Sequence, residues 1–245
     1  MNDIRYDLSR FESGLSQLNI SLSREQTEQF VLYFELLTDW NSRMNLTAIT
    51  EWEEVVTKHF IDSLVLIKAV NDLKEVPYSV IDVGTGAGFP GIPLKITFPN
   101  LRITLLDSLN KRVNFLNEVI DSLGLSGIDA VHGRAEDFAS SEKYRQQFDL
   151  AVSRAVANMT VLSEFCIPFV KFGGRFISYK SEKVSEEISD SKKAFSILGG
   201  KLNKCVDMNL PDSDIFRSLV IVDKVKDTPL RFPRRAGIPA KEPLN

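Results

Sequence analysis

The sequence predicts an α/β fold in which a doubly wound sheet of seven strands follows an N-terminal helical cap. Three observations carry this. Val80-Ile81-Asp82-Val83-Gly84-Thr85-Gly86-Ala87-Gly88-Phe89-Pro90-Gly91 reads as a buried strand, a glycine-rich turn and the start of a helix. From residue 76 onward, short apolar runs alternate with helical patterns, the signature of a mostly parallel sheet. Residues 1–75 lack such runs and place apolar residues at helical spacing instead.

In the cap, Ile4, Leu8, Phe11, Leu15 and Leu18 recur at intervals of three and four and form one apolar stripe. Ser23-x-x-Gln26 is a capping-box pattern ahead of Phe30, Val31, Phe34 and Leu37. Thr50-x-x-Glu53 repeats it ahead of Val55, Val56, Phe60 and Leu64. Three or four helices are expected. His59 and Asp62, three apart on one helix face, are expected to hydrogen-bond across the cap interface rather than to act in catalysis.

Strands are expected near 79–83, 102–106, 128–132, 148–152, 174–179, 202–207 and 218–223. Helices are expected to begin near Pro90, Asn110, Asn158 and Ser181, with Gly199-Gly200 opening the last hairpin. Seven strands exceed a minimal nucleotide-binding half. They match the Rossmann-like architecture of S-adenosylmethionine-dependent methyltransferases, in which a final antiparallel strand inserts beside an otherwise parallel sheet. The expected organisation is a helical cap over 1–75, an S-adenosylmethionine-binding domain over 76–224, and a basic, proline-rich tail over 225–245.

The glycine turn narrows the ligand. Alternate glycines permit positive φ and let a ligand lie on the main chain. A dinucleotide fingerprint would need its third glycine at position 89, which is Phe89. A phenylalanine there would obstruct a pyrophosphate, whereas Gly84-x-Gly86-x-Gly88 suits a ligand without one, such as S-adenosylmethionine. Asp107, ending the second strand, stands at the distance where an acid binds ribose hydroxyls.

Composition excludes other classes. A formal net charge of −3 over 245 residues gives no global attraction to nucleic acid, so any RNA site must be a local basic surface. Only two cysteines, Cys166 and Cys205, are present, without histidine partners at metal-ligand spacing; a reduced cytoplasmic protein with no bound metal is expected. The N-terminal residues carry acids and no apolar signal core, and no run is long enough to span a membrane.

Asn45-Leu46-Thr47, His59-Phe60-Ile61-Asp62-Ser63, the run from Asp82 to Pro93, Leu106-Asp107-Ser108, Lys111-Arg112, Gly133-Arg134-Ala135-Glu136, Ser153-Arg154-Ala155 and Pro233-Arg234-Arg235-Ala236-Gly237-Ile238-Pro239 together closely resemble the RsmG family, also called GidB. These bacterial enzymes methylate N7 of a guanine in 16S ribosomal RNA. The resemblance runs from about residue 40 to the C-terminus and is weak over the first 20 residues. It implies cofactor contacts at Gly84, Phe89, Ala135, Glu136 and Arg154. It supports RNA or guanine contacts by Arg134, Arg154 and Lys180, with Arg154 and Lys180 at the reacting edge.

The residues agree with an N7 acceptor. That nitrogen has a free lone pair and needs no proton removed. The sequence has no Asn/Asp-Pro-Pro-aromatic run, and neither cysteine follows a proline. Lys111, Arg112, Arg134, Arg154 and Lys180 lie at or just beyond strand ends and converge on one rim. Each is a candidate for holding phosphate or guanine O6, with a solvated surface charge as the plainer alternative. Arg154 is expected to contribute little core packing. In the tail, Lys224, Lys226, Arg231, Arg234, Arg235 and Lys241 face only Asp227 and Glu242. Arg234 and Arg235 could track a phosphate backbone, or the tail could pack over the sheet edge. The expected partner is small-subunit ribosomal RNA or a ribosomal particle, met by a monomer, with neither DNA nor membrane. A noncatalytic nucleotide-sensing or RNA-binding module is the alternative from another class, and an NAD-dependent oxidoreductase a distant third.

Overall fold

The computed structural model describes residues 5–154, 157–181 and 184–244. Seven strands, β1 (Ser79–Val83), β2 (Arg102–Asp107), β3 (Ile128–His132), β4 (Phe148–Arg154), β5 (Val170–Lys180), β6 (Gly200–Asn209) and β7 (Phe216–Lys224), form one sheet in the order β3-β2-β1-β4-β5-β7-β6. β1 pairs in parallel with β2, from Ser79 opposite Arg102 to Val83 opposite Leu106, and β4 continues the parallel set on its other side. β7 is antiparallel to both β5 and β6 and lies between them. Because helices cover both faces, the central strands are continuous apolar runs rather than alternating ones.

The cap comprises α1 (Ser9–Gln17), α2 (Arg24–Asn41) and a composite helical segment, 52–68. That segment begins as α3 (Trp52–Val55), opens into a π-helical stretch (Val56–Ile61), and closes through α4 (Asp62–Leu64) and a 3-10 turn (Val65–Lys68). Ser23 and Gln26 form the expected capping box, and Gln26 Nε2 also donates to Ile96 O at 2.6 Å, tying the start of α2 to the sheet domain. The box expected at Thr50 does not form. Glu51 occupies the N-cap in extended conformation without a side-chain cap, one residue later than the pattern places it. Of the first apolar stripe, Phe11, Leu15 and Leu18 are buried, whereas Ile4 lies outside the described residues.

On the sheet, α5 (Gly91–Thr97), α6 (Asn110–Ser122), α8 (Met159–Cys166) and α9 (Ser185–Leu198) are the crossover helices. The short α7 (Ala135–Phe138) and α10 (Ile238–Lys241) were not expected. Asn158 caps α8 by accepting from Val161 N at 3.0 Å. Gly199 ends α9 at φ 85, so it is a helix cap and only Gly200 belongs to the hairpin. The helix expected near Ser181 starts at Ser185.

Cap and sheet share one core. Phe11, Phe30, Phe60 and Tyr33 pack continuously with Ile92, Leu105, Phe115, Ile177 and Leu219 on one sheet face. Phe148, Phe169, Phe176, Phe195 and the tail's Phe232 fill the other. The tail is held down rather than extended into solvent. The Arg145 guanidinium donates to Phe232 O at 2.6 Å and Thr228 O at 2.7 Å. Among the described residues no helix is long and apolar enough to cross a membrane.

Candidate active site

β1 delivers the chain to the glycine turn with Asp82 wholly buried beneath it. Asp82 Oδ2 accepts from Thr85 Oγ1 at 2.7 Å and from Gly91 N at 2.9 Å, bracing the turn from below, while Oδ1 has no partner among the described residues. Burial raises this carboxyl to about 6. Gly86 sits at φ +63, where a Cβ would meet nothing within 4 Å, so open space lies over the turn. Gly88 differs: at φ +99, a Cβ would stand 2.7 Å from the Tyr33 hydroxyl. The Tyr33 hydroxyl itself donates to Ala87 O, clamping the turn to the cap.

Asp107, 2 % exposed at the end of β2, accepts from Gly86 N and Leu109 N, each at 2.9 Å. Oδ1, with one donor, retains acceptor capacity for a ligand hydroxyl, whereas Oδ2 also receives Arg112 Nη1 at 3.4 Å. Beside it is a pocket of about 170 Å³ lined by Val83, Gly84, Leu106, Ser108, Gly133, Arg134, Ala135, Glu136 and Phe165. Ordinary small-molecule sites run to roughly 300–1,000 Å³. This one suits a single heterocycle, with the rest of the ligand over the open turn. Gly84, Gly86, Asp107, Ala135 and Glu136 are thus brought together, and they fit an adenosyl cofactor. Glu136 is buried, and its Oε1 accepts from Gly237 N of the tail at 3.0 Å.

Phe89 and Arg154 depart from expectation. The Phe89 ring does not stand in the ligand approach. It is buried in the cap interface, stacked on His59 at 4.4 Å, with the Arg154 guanidinium carbon 5.1 Å from its centroid. Arg154 points to the cap as well, so it is no rim residue of small structural weight. Its Nη1 donates to Asp62 Oδ2 at 2.9 Å and Lys58 O at 2.8 Å, and its Nη2 lies 3.1 Å from His59 Nδ1. Asp62, with a side chain 1 % exposed, also takes both arms of Arg217, at 2.6 and 2.8 Å. This bidentate sharing satisfies the buried carboxylate that a single partner would leave under-bonded. His59 and Asp62 thus hydrogen-bond across the cap interface as expected, each to Arg154.

His59 is enclosed by polar partners: Nδ1 lies 3.1 Å from Arg154 Nη2 and 3.0 Å from Lys58 O, and Nε2 lies 2.9 Å from Thr47 Oγ1. Asn41 Oδ1 in turn holds the Leu46 and Thr47 amides at 2.7 and 3.0 Å. Burial, then the neighbouring Arg154 charge, pushes the imidazole down to about 3, so it is neutral.

Across β4 from the small pocket lies an open cleft of about 900 Å³ whose lining includes Lys58, Arg154, Lys180 and Arg217, with Asp62 and Glu187. Lys180 Nζ donates to Glu187 Oε1 at 2.7 Å and Ala157 O at 3.1 Å. Lys111, Arg134 and Arg235 are exposed, and Arg112 leans on Asp107 at 3.4 Å. Arg234 does not join an RNA-facing surface. It is fastened to Glu164, a side chain 1 % exposed, at 2.6 to 3.2 Å through Nε and Nη2. Ala155, the last residue of the Ser153-Arg154-Ala155 motif, lies outside the described residues. Sequence reasoning missed Arg217. Its signal was a charge near the start of an apolar strand, which the antiparallel insertion of β7 brings to the rim where the parallel strands end.

Comparison with known proteins agrees with this geometry. Residues 26–216 match the family model GidB, rRNA small subunit methyltransferase G. The ribosomal RNA small subunit methyltransferase G of Lachnoclostridium phytofermentans is 54% identical over 238 residues, covering 97% of this chain and 98% of that protein. Its counterpart from Clostridium perfringens strain 13 is 52% identical over 239 residues, with 98% of each chain covered. Among solved structures, MtNAS in complex with MTA and tNA is similar at TM-score 0.53 and 17% identity, covering 91% of this chain and 85% of that one. The YcgJ protein of Bacillus subtilis is similar at TM-score 0.51 and 14% identity, over 69% of this chain and 100% of that one. Those distant likenesses concern the fold alone. Sheet order, glycine turn and near-full-length identity converge on one conclusion: this chain belongs to the GidB family of rRNA small subunit methyltransferase G proteins.

Proposed function

We propose that the protein transfers a methyl group from S-adenosylmethionine to N7 of a guanine in 16S ribosomal RNA. The observation that carries this reading is the pairing of two sites on one sheet edge. A heterocycle-sized pocket beside the glycine turn lies on one side of β4, and a cation-lined cleft lies on the other. Gly84, Gly86, Asp107, Ala135 and Glu136 would hold the cofactor, with Phe89 and Arg154 bracing the turn between the sites. When bound, the cofactor supplies a methyl activated by its sulfonium.

Among the described residues, the acceptor side has no group poised to remove a proton. His59 is neutral, with Nδ1 engaged by Arg154; Asp62 is held by two arginines; Glu187 accepts from Lys180 and from the Met159 amide. Such a cleft suits a nitrogen that already offers a lone pair, and alignment then supplies the catalysis. Arg154 and Lys180 would orient guanine through O6 or its flanking phosphate. Lys111, Arg134 and Arg235 would meet phosphates, so RNA affinity should fall as salt rises. The test is nucleoside mass spectrometry of ribosomal RNA from a strain lacking the protein, where one N7-methylguanosine should disappear. Its undiminished presence would overturn the assignment.

A further inference from the structure

We infer that the C-terminal tail completes the cofactor site, with Gly237 and Arg234 acting as positioning residues for Glu136. This rests on reading Glu136 as a cofactor ligand. Glu136 lines the small pocket, and its only side-chain hydrogen bond among the described residues is Oε1 to Gly237 N, 101 positions along the chain. That bond turns one carboxylate oxygen onto the tail and leaves Oε2 without a donor among the described residues. A free carboxylate oxygen at a heterocycle-sized pocket is the acceptor that an exocyclic amine requires.

The tail is built to hold this position. Gly237 adopts φ 84 and ψ −16, a left-handed conformation that aims its amide, and a Cβ there would touch nothing within 4 Å. A side chain is therefore opposed by backbone conformation alone. Three residues upstream, Arg234 grips Glu164 through Nε, Nη2 and its own backbone amide, the last at 2.7 Å. Glu164 precedes Phe165, another wall of the pocket. Arg145 fixes the chain before that. Leu244 packs on the same apolar cluster as Ala135 and Phe165. The basic surplus of this segment thus serves in part to fasten it.

The test is calorimetric titration of the full chain with S-adenosylhomocysteine, beside filter binding of 16S ribosomal RNA. Gly237→Ala should weaken cofactor binding by about five- to tenfold, the loss expected for a disturbed hydrogen bond to a charged group. Gly237→Asn should recover part of it, because asparagine enters the left-handed region more readily than alanine. Arg234→Lys keeps Glu164 paired but loses the multipoint grip, and should act in the same direction even if Gly237→Ala fails to fold. RNA affinity should stay at the wild-type value in all three. Glu136→Gln, in the same titration, separates the two readings. If it weakens binding while the Gly237 and Arg234 variants do not, the tail inference fails. If Glu136→Gln itself binds normally, the assignment of Glu136 as a ligand fails first. Reduced RNA affinity with normal cofactor affinity would show instead that the tail follows the RNA.

Discussion

Arg154 joins two tasks at one guanidinium. It closes the cap onto β4 through Asp62 and Lys58, and it borders the cleft where the acceptor base would enter. Arg154→Ala should therefore lower single-turnover methyl transfer by roughly 10–100-fold, the equivalent of a lost charge-assisted contact. Unfolding in urea should show a stability loss below the roughly 3–5 kcal/mol of a fully broken buried pair, because Arg217 still holds Asp62. Wild-type turnover would sink the active-site assignment. Lys180→Ala makes the contrast. It should weaken RNA binding and leave cofactor affinity near wild type, since its partners, Glu187 and Ala157, lie on the acceptor side. For the cofactor itself, Asp107→Ala removes the acceptor of two amides, and Gly86→Val puts a branched side chain at φ +63 in the open space over the turn. Both should show strongly reduced S-adenosylhomocysteine affinity by calorimetry. Asp107 and the glycines were legible because strand, turn and acid follow one another closely in sequence. The Asp62–Arg217 bond was not, because it joins residues 155 positions apart.

Strands and crossover helices were legible where length and burial decide them. Buried strands such as β1 appear as short apolar runs stopped by turn residues, and their expected positions match the sheet to within a few residues. The segment 52–68 was legible as helix but not in its hydrogen-bond register. Val55, Val56, Phe60, Ile61 and Leu64 show which face is apolar, not where an α-helix widens into a π-helix. Caps give a sharper test. Ser23→Ala removes an observed capping bond and should cost about 0.5–2 kcal/mol in urea unfolding. Thr50→Ala, at an exposed residue that caps nothing, should stay within about 0.5 kcal/mol of wild type. Equal losses at both sites would contradict the observed helix starts.

Over the whole molecule, stability should respond to Lys224, buried on β7 with Nζ donating to Ile167 O at 3.0 Å and to Thr228. Burial, reinforced by Arg145, lowers its ammonium to about 7, against 10.5 unperturbed. Between those values the unfolded chain binds more proton than the folded one, so this group's contribution to stability rises with pH. The difference in unfolding free energy between wild type and Lys224→Met should move in favour of wild type from pH 7 to pH 9. A constant difference would show that Lys224 titrates normally. Composition left the tail open between an RNA arm and a strap packed over the sheet edge, because charge counts do not reveal that Lys224 and Arg234 are turned inward. The place of β7 also bears on synthesis. As the chain leaves the ribosome, β6 emerges before the strand that joins it to β5, so the sheet cannot zip up in the order it is made. A product ended by a premature stop before Phe216 would expose the β5 edge, including Phe176, Ile177 and Tyr179, as an open template for aggregation. Such truncations should accumulate as insoluble protein or be degraded, rather than persist as weakened enzymes.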